Sequence, residues 1–143
     1  MDERPTEELM NTLLRSGSIK SFLEENKDSF VTETFGEYYL QVLEKHHLTK
    51  SEAIRQSGID VNYGYQILRD FKKKPSRDLV LCLCFGAKMT VLEAQRALRL
   101  SSLPILYPKN RRDSILLHAL NNALTLEECN TRLIREKEKP LIS

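Results

Sequence analysis

The chain has 143 residues, of which 41% are hydrophobic and 29% are charged, and its formal net charge is +2. This length corresponds to about one domain and is enough to bury a core without disulfides or metal. The composition excludes a disordered chain and a wholly basic nucleic-acid tail, and five glycines, five prolines and no Trp favour helix over a turn-rich β-sandwich. We therefore expect an all-α, soluble globular protein.

The cysteines and the N-terminal sequence bear on the compartment. Cys82, Cys84 and Cys129 are odd in number and form no C-x-x-C pair, so neither a disulfide framework nor a four-ligand zinc site is expected. The N-terminal MDERPTEEL has no apolar signal segment, and the longest apolar run, LVLCLCF at residues 79–85, is too short to span a bilayer. We expect a cytoplasmic protein with no membrane partner, cofactor or metal.

The small net charge conceals segments of opposite sign. Residues 1–37 carry four basic and nine acidic side chains, residues 38–112 carry fourteen and six, and residues 113–143 carry four and five, for net charges of −5, +8 and −1. A basic centre is typical of a surface that binds a polyanion, although Lys and Arg on solvated helix faces would give the same distribution of charge.

The acidic residues 1–34 form the first predicted segment. Apolar residues at helical spacing predict two short helices on either side of Ser16, Gly17 and Ser18, namely Leu9, Leu13 and Leu14, then Ile19, Phe22 and Leu23. We expect a packed or partly mobile appendage; dimerisation, or shielding of the basic surface, is the alternative.

Helix starts are marked by threonines followed three residues later by glutamate. Such a pair can form a capping box, in which each side chain bonds the other residue's backbone N–H. The pairs are Thr49 with Glu52, Thr90 with Glu93, and Thr125 with Glu128. They predict three helix N-termini.

Further helices follow from apolar spacing and from single capping residues. Periodicity predicts a helix over residues 35–46, ending at His46 and His47, which we expect to cap it or to lie in solvent. Asp60 and Ser76 are predicted N-caps of helices running through VNYGYQILRD and RDLVLCLCF. The second is interpreted as a buried helix rather than a strand because no partner strand exists, so Cys82 and Cys84 become core residues.

An internal repeat with an offset of 35 residues relates two helical hairpins. Arg77 and Asp78 match Arg112 and Asp113, and apolar residues occupy equivalent positions along both copies. We interpret residues 103–143 as a C-terminal helical hairpin packed on the core, with His118 in the core or at an interface.

Residues 49–70 carry the functional prediction. A capped helix, a turn at Gly58 and a second capped helix form the sequence pattern of a helix-turn-helix, whose second helix can enter a DNA major groove. Asn62 and Gln66 share one face of that helix, and their amides can bridge adenine. Residues predicted to read bases are Val61, Asn62, Gln66 and Arg69.

Flanking polar and basic side chains are suited to phosphates. The predicted phosphate contacts are Lys50, Ser51, Arg55, Tyr63, Lys72, Lys73, Lys74, Ser76 and Arg77. Each has an alternative: one of Tyr63 and Tyr65 is equally suited to the core, and a lysine run is often only a solvated loop. Gly64 costs about 1 kcal/mol in a helix, which tight packing on the preceding helix, or close approach to a ligand, would explain.

The pieces LTKSEAIRQSG, NYGYQI, KKKPSRDLVLCL and MTVLEAQRAL resemble the five-helix DNA-binding domain of the lambda-repressor, Cro and XRE family. With FLEEN before it and LYPKNRRD after it, the wider chain resembles small bacterial proteins described as XRE-type regulators. The resemblance implies a helix-turn-helix domain over residues 35–102. It implies base contacts from Val61, Asn62 and Gln66, and phosphate contacts from Lys50, Ser51 and the loop lysines. Ile54 and Gly64 depart from the family pattern, and we expect their volumes to compensate.

We therefore expect sequence-specific binding of double-stranded DNA by a transcriptional regulator that forms a homodimer. The alternative is an interaction adaptor on the same scaffold, which holds a protein partner through the N-terminal segment or the C-terminal hairpin. An enzyme is not expected: the sequence has no phosphate-binding or metalloprotease motif, and its histidines have no carboxylate or cysteine at ligand spacing.

Overall fold

The computed structural model describes residues 6–25, 33–69 and 74–142, and every regular element in these ranges is an α-helix. The predicted all-α class is confirmed. The helices are α1 (Thr6–Arg15), α2 (Ile19–Glu25), α3 (Phe35–Lys45), α4 (Lys50–Gln56), α5 (Val61–Leu68), α6 (Arg77–Gly86), α7 (Val91–Leu100), α8 (Arg111–Asn121) and α9 (Leu126–Arg135).

The chain divides into two compact units, Met1–Thr32 and Glu33–Ser143. The first holds α1 and α2, the two short helices predicted on either side of Ser16 to Ser18. These helices contact each other, α1 has no buried side chain, and in α2 only Phe22 is buried among the described residues. Leu14 is 74% exposed, so the apolar face of α1 is open within this unit.

Helix α6 forms the centre of the second unit. Its residues from Leu79 to Gly86 are all buried, and α4, α7 and α9 pack around it. The interpretation of LVLCLCF as a buried helix is confirmed, because contacts on several sides require an apolar surface all round. The three cysteines are buried and free. Burial raises the pKa of the Cys82 thiol to about 12 and that of Cys129 to about 11.

Helix α6 crosses α4 at very close range. A Cβ on Gly86 would overlap the Ser57 hydroxyl and the backbone oxygen of Ala53, so glycine is required there. Ser57 is fully buried, and its hydroxyl donates to the Ala53 carbonyl at 2.7 Å. The buried Tyr39 hydroxyl of α3 donates to the Leu83 carbonyl at 2.8 Å. These bonds satisfy polar atoms that would otherwise be costly at the centre.

The predicted helix starts are present, with one difference in detail. Thr90 and Thr125 form complete capping boxes with Glu93 and Glu128. At Thr49 only the hydroxyl takes part, by accepting the N–H of Glu52 at 3.2 Å; the structure gives no return bond between these two described residues. Thr34 begins α3 with a further capping box, which it forms with Glu37.

The two repeated hairpins, α6 with α7 and α8 with α9, exchange ion pairs. The Arg77 guanidinium donates both terminal nitrogens to Asp113 at 3.0 and 2.9 Å, and Arg112 does the same to Asp78 at 3.0 and 3.0 Å. Each arginine of one copy therefore holds the aspartate of the other. This reciprocal pairing joins the second hairpin to the first in one unit.

The structure bears on two expectations about histidines. His118 is exposed, which excludes the core position and leaves the interface position a prediction, and its Nδ1 accepts a hydrogen bond from Arg132 at 2.8 Å, since a guanidinium has no acceptor. His46 is the C-cap of α3, as predicted. His46 does have a carboxylate neighbour: its Nε2 lies 2.9 Å from Glu93, which also contacts Lys45 at 3.2 Å. The sequence separation of 47 residues hid this pair.

Candidate nucleic-acid interface

The turn between α4 and α5 is built from four residues of defined roles. Ser57 caps α4, and Gly58 follows with φ of +70°, a left-handed conformation that glycine adopts without a steric penalty. Ile59 is buried, and the Asp60 carboxylate then accepts the N–H of Tyr63 at 3.1 Å to begin α5. The turn therefore sends the chain from one capped helix directly into the next.

Helix α5 has a buried face and an exposed face. Gly64, Ile67 and Leu68 are buried against the core. On the other side, the exposed residues are Val61, Asn62, Tyr63 and Gln66, and the exposed Arg69 follows as the C-cap. The predicted base-reading residues thus share an exposed surface. The sequence left open which of the two tyrosines lies in the core. Tyr65 packs against the core, and Tyr63 is 41% exposed.

The packing of α4 on α5 depends on Ile54 and Gly64, whose volumes were expected to compensate. An added Cβ on Gly64 would lie 2.5 Å from Cγ2 of Ile54, a distance too short for two carbons. Ile54 is fully buried. The isoleucine therefore fills the volume that the glycine leaves, which confirms the expected compensation and explains the glycine by packing alone.

The predicted phosphate contacts lie on both sides of α5 along the chain. Lys50 and Ser51 are exposed in the first turn of α4, where backbone N–H groups are available to anions, and Arg55 is exposed in its last turn. After α5, Lys74 and Ser76 are exposed, and the Ser76 hydroxyl caps α6 by accepting the Leu79 N–H at 3.2 Å. Lys72 and Lys73 lie outside the described residues.

Arg77 does not fit the phosphate role expected of it. Besides the ion pair with Asp113, its Nε and Nη2 donate to the carbonyls of Pro104 and Ile105, each at 3.0 Å. Its side chain is only 24% exposed. Because the guanidinium already bonds a carboxylate and two carbonyls, Arg77 is a structural bridge between the hairpins.

The second unit has both paired and unpaired cations, and the unpaired ones are not confined to this surface, since Lys88, Arg99 and Lys109 also have no carboxylate partner within the described residues. Lys45, Arg77, Arg96, Arg111 and Arg112 each have a carboxylate partner. Within the described ranges, the side chains of Lys50, Arg55, Arg69 and Lys74 have none, and neither Asn62 nor Gln66 forms a side-chain hydrogen bond. These groups remain available to a partner.

A second arrangement was not foreseen from the sequence. The side-chain amides of Gln95 and Asn130 each hold the backbone of an extended segment, at Leu106 and Leu141 respectively. Both pairs obey the 35-residue offset. The repeat is the sequence signal for this arrangement, since it relates Gln95 to Asn130 and Leu106 to Leu141.

Comparison with known proteins identifies no relative: no family model matches the chain, and neither a curated protein nor a solved structure matches it at a significant level. Among the described residues, no helix has the length and apolar character needed to cross a membrane. In the same ranges, no three His, Cys, Asp or Glu side chains cluster as a metal site would require.

Proposed function

We propose that this protein binds double-stranded DNA in a sequence-specific manner and acts as a transcriptional regulator of the XRE type. In this proposal α3 to α7 correspond to the five helices of a lambda-repressor-like domain, and α5 is the recognition helix. The protein would bind as a dimer to a two-fold related site, because one short helix reads only a half-site.

The observation that carries the proposal is the exposed, unpartnered state of Asn62 and Gln66. These amides are four residues apart on α5 and have no hydrogen bond within the described part of the chain. Amide side chains of this kind pair with the donor and acceptor edge of adenine in the major groove. Their Cβ atoms lie on one helix face, so both can approach neighbouring base pairs.

Positioning on the backbone would come from the cations on either side of α5. Lys50, Arg55 and Lys74 are exposed and lack a carboxylate within the described residues. Phosphate contacts fix register without reading sequence, and their number sets the salt dependence of binding. Arg77 is not assigned to this set, since it bridges the two hairpins.

Selection of bound duplexes from a random DNA pool, with the full chain at stated salt, tests the proposal. We expect enrichment of a two-fold related sequence and an affinity that falls steeply with salt. The matched control carries Asn62→Ala and Gln66→Ala, which leave the buried face of α5 intact; it should retain weak binding without enrichment.

Failure to bind duplex DNA at low salt would contradict the proposal and favour an interaction adaptor on the same scaffold. Equal enrichment by the wild type and the control would instead contradict the assignment of α5 as the recognition helix.

A further inference from the structure

The extended segment that follows α9 is held by its backbone. The Asn130 amide donates to the Leu141 carbonyl at 3.1 Å and accepts the Leu141 N–H at 2.7 Å. These are the two bonds that a neighbouring β-strand would provide to that residue. Recognition of this kind needs an extended backbone and places little demand on the side chains.

Arg112 donates hydrogen bonds to the backbone of the two preceding residues. Its Nε donates to the Lys139 carbonyl at 2.9 Å and its Nη2 to the Pro140 carbonyl at 3.3 Å. Asp78 holds the same guanidinium from the other side through both carboxylate oxygens. Three consecutive carbonyls of the segment are therefore bound by side chains that the folded hairpins orient in advance.

The same device occurs in the first hairpin, on a segment of different sequence. Gln95 bonds the N–H and carbonyl of Leu106 at 2.7 and 2.9 Å, and Arg77 bonds the two preceding carbonyls. Only the leucine is shared between the two segments, LPILY and EKPLI. Leu106 and Leu141 are 1% and 4% exposed. The common requirement is thus an extended backbone with a buried leucine.

The segment after α9 does not fill the space beside it. A groove of about 640 Å³ runs along Leu141 and Ile142, with walls from the end of α4 and from α9. Leu126 and Ile134 contribute apolar surface to these walls, and Ile142 is 57% exposed. Residues 139–142 therefore leave part of this groove open.

We propose that this groove is a docking site for an extended, leucine-anchored peptide segment of a partner protein, and that residues 139–142 occupy it as an intramolecular ligand. The partner segment adopts the bonds seen for Leu141, with its leucine in the same pocket and its following residues in the open part of the groove. Binding in this mode resembles strand addition, in which main-chain bonds supply affinity and one side-chain pocket supplies specificity.

Removal of the intramolecular ligand tests the proposal. A chain that lacks residues 139–143 is titrated with a fluorescent peptide of residues 137–143, and its fold is checked by circular dichroism and cooperative melting. We expect saturable binding, weaker by about ten-fold or more in the intact chain, where the site is occupied. Most contacts of the segment are made by neutral backbone groups, and the ion pair of Glu138 with Arg111 at 3.1 Å is half exposed, so affinity should fall far less with salt than binding to DNA does.

Point variants locate the site. In the shortened chain, Asn130→Ala should weaken peptide binding by about ten-fold or more, since two hydrogen bonds are lost. The matched control, Asn121→Ala, removes an exposed asparagine of the same hairpin and should have no effect. A peptide with alanine in place of its leucine should bind as weakly as the wild-type peptide binds the Asn130 variant.

A second variant decides the matter if the shortened chain does not fold. Leu141→Ala in the intact chain weakens the intramolecular ligand while leaving its backbone bonds possible, so this variant should bind the wild-type peptide more tightly than the intact wild type does. Equal binding of the peptide by the Leu141→Ala variant and the intact wild type would overturn the proposal. A shortened chain that folds but does not bind the peptide would also overturn it. Concentration-dependent dimers that disappear on removal of residues 139–143 would also overturn it, because the occupant would then be a second copy.

Discussion

Gly64 and Ile54 are in close contact: a Cβ on the glycine would lie 2.5 Å from Cγ2 of the isoleucine. This contact joins α4 to α5 and sets how near the two helices lie. The angle at which α5 leaves the core, and hence the direction of Asn62 and Gln66, depends on it.

Substitution of this pair should show strong coupling. Overpacking costs about 1–3 kcal/mol and alanine gains about 1 kcal/mol of helix propensity over glycine, so Gly64→Ala should lower the free energy of unfolding by up to about 2 kcal/mol. Ile54→Ala should cost about 2–5 kcal/mol through the cavity it leaves. The double variant should lose less than the sum, as measured by urea denaturation. Gly17→Ala, with nothing within 4 Å of the new Cβ, is the control. Additive losses would show that the two sites are independent.

Base reading and phosphate binding should separate on mutation. Gln66→Ala should cost about 1–3 kcal/mol on the selected site and relax preference at one base position, whereas Lys74→Ala should weaken every sequence alike and reduce the salt slope by about one. Both are measured by titration of labelled duplexes at several salt concentrations. Lys137→Ala removes an exposed charge outside the interface and should leave affinity unchanged. Identical effects of the Gln66 and Lys74 variants on all sequences would refute the division.

Arg77→Ala should act on stability rather than on DNA. Its guanidinium bonds Asp113 and two carbonyls, so its loss frees a mostly buried carboxylate and loosens the second hairpin. We expect a lower midpoint of unfolding, together with wild-type DNA affinity under conditions where the variant is fully folded. A folded Arg77 variant that loses affinity as Lys74→Ala does would restore the phosphate role.

Asp113 should make stability depend on pH below neutrality. Burial would raise the pKa of its carboxyl, but the hydrogen bonds from Arg77 and from the Tyr107 N–H outweigh burial and lower that pKa below 3.8, the value for the free side chain. Near pH 4 the unfolded chain therefore binds more protons than the folded one, so the contribution is present above that pH and is lost as pH falls through the folded pKa.

Asp113→Asn removes this contribution. Loss of one partner of a buried pair costs about 3–5 kcal/mol, and because Arg77 keeps some exposure we expect a loss near the lower end at pH 7. The difference from wild type should shrink between pH 5 and pH 2 in denaturant titrations, while the exposed Glu127→Gln control follows the wild type. A constant difference over this range would contradict the assignment.

The three cysteines should be inert in the native state. All are buried, and burial raises the pKa of each thiol, so little thiolate is available to react. A chromogenic disulfide reagent at pH 8 should label essentially none of them in the folded protein and all three in denaturant. Rapid labelling of any one in the native protein would show that its helix opens locally.

The amino-acid sequence by itself determined the local features of this protein. The helix starts at Thr90 and Thr125, the caps at Asp60 and Ser76, and the shared face of Asn62 and Gln66 all depend on residues no more than four apart. Capping and helical spacing are interactions of that range, so they can be predicted without knowing the fold.

Only the tertiary structure decided which distant side chains meet. It joins Arg77 to Asp113 across 36 residues, which moved Arg77 from the predicted interface to the core of the repeat, and it brings His46 to Glu93 across 47. It also brings the side-chain amide of Asn130 into hydrogen-bond contact with the backbone of Leu141. The sequence repeat indicated equivalent residues in the two hairpins, but equivalence does not reveal pairing, because pairing depends on how packed helices direct long side chains toward one another in space.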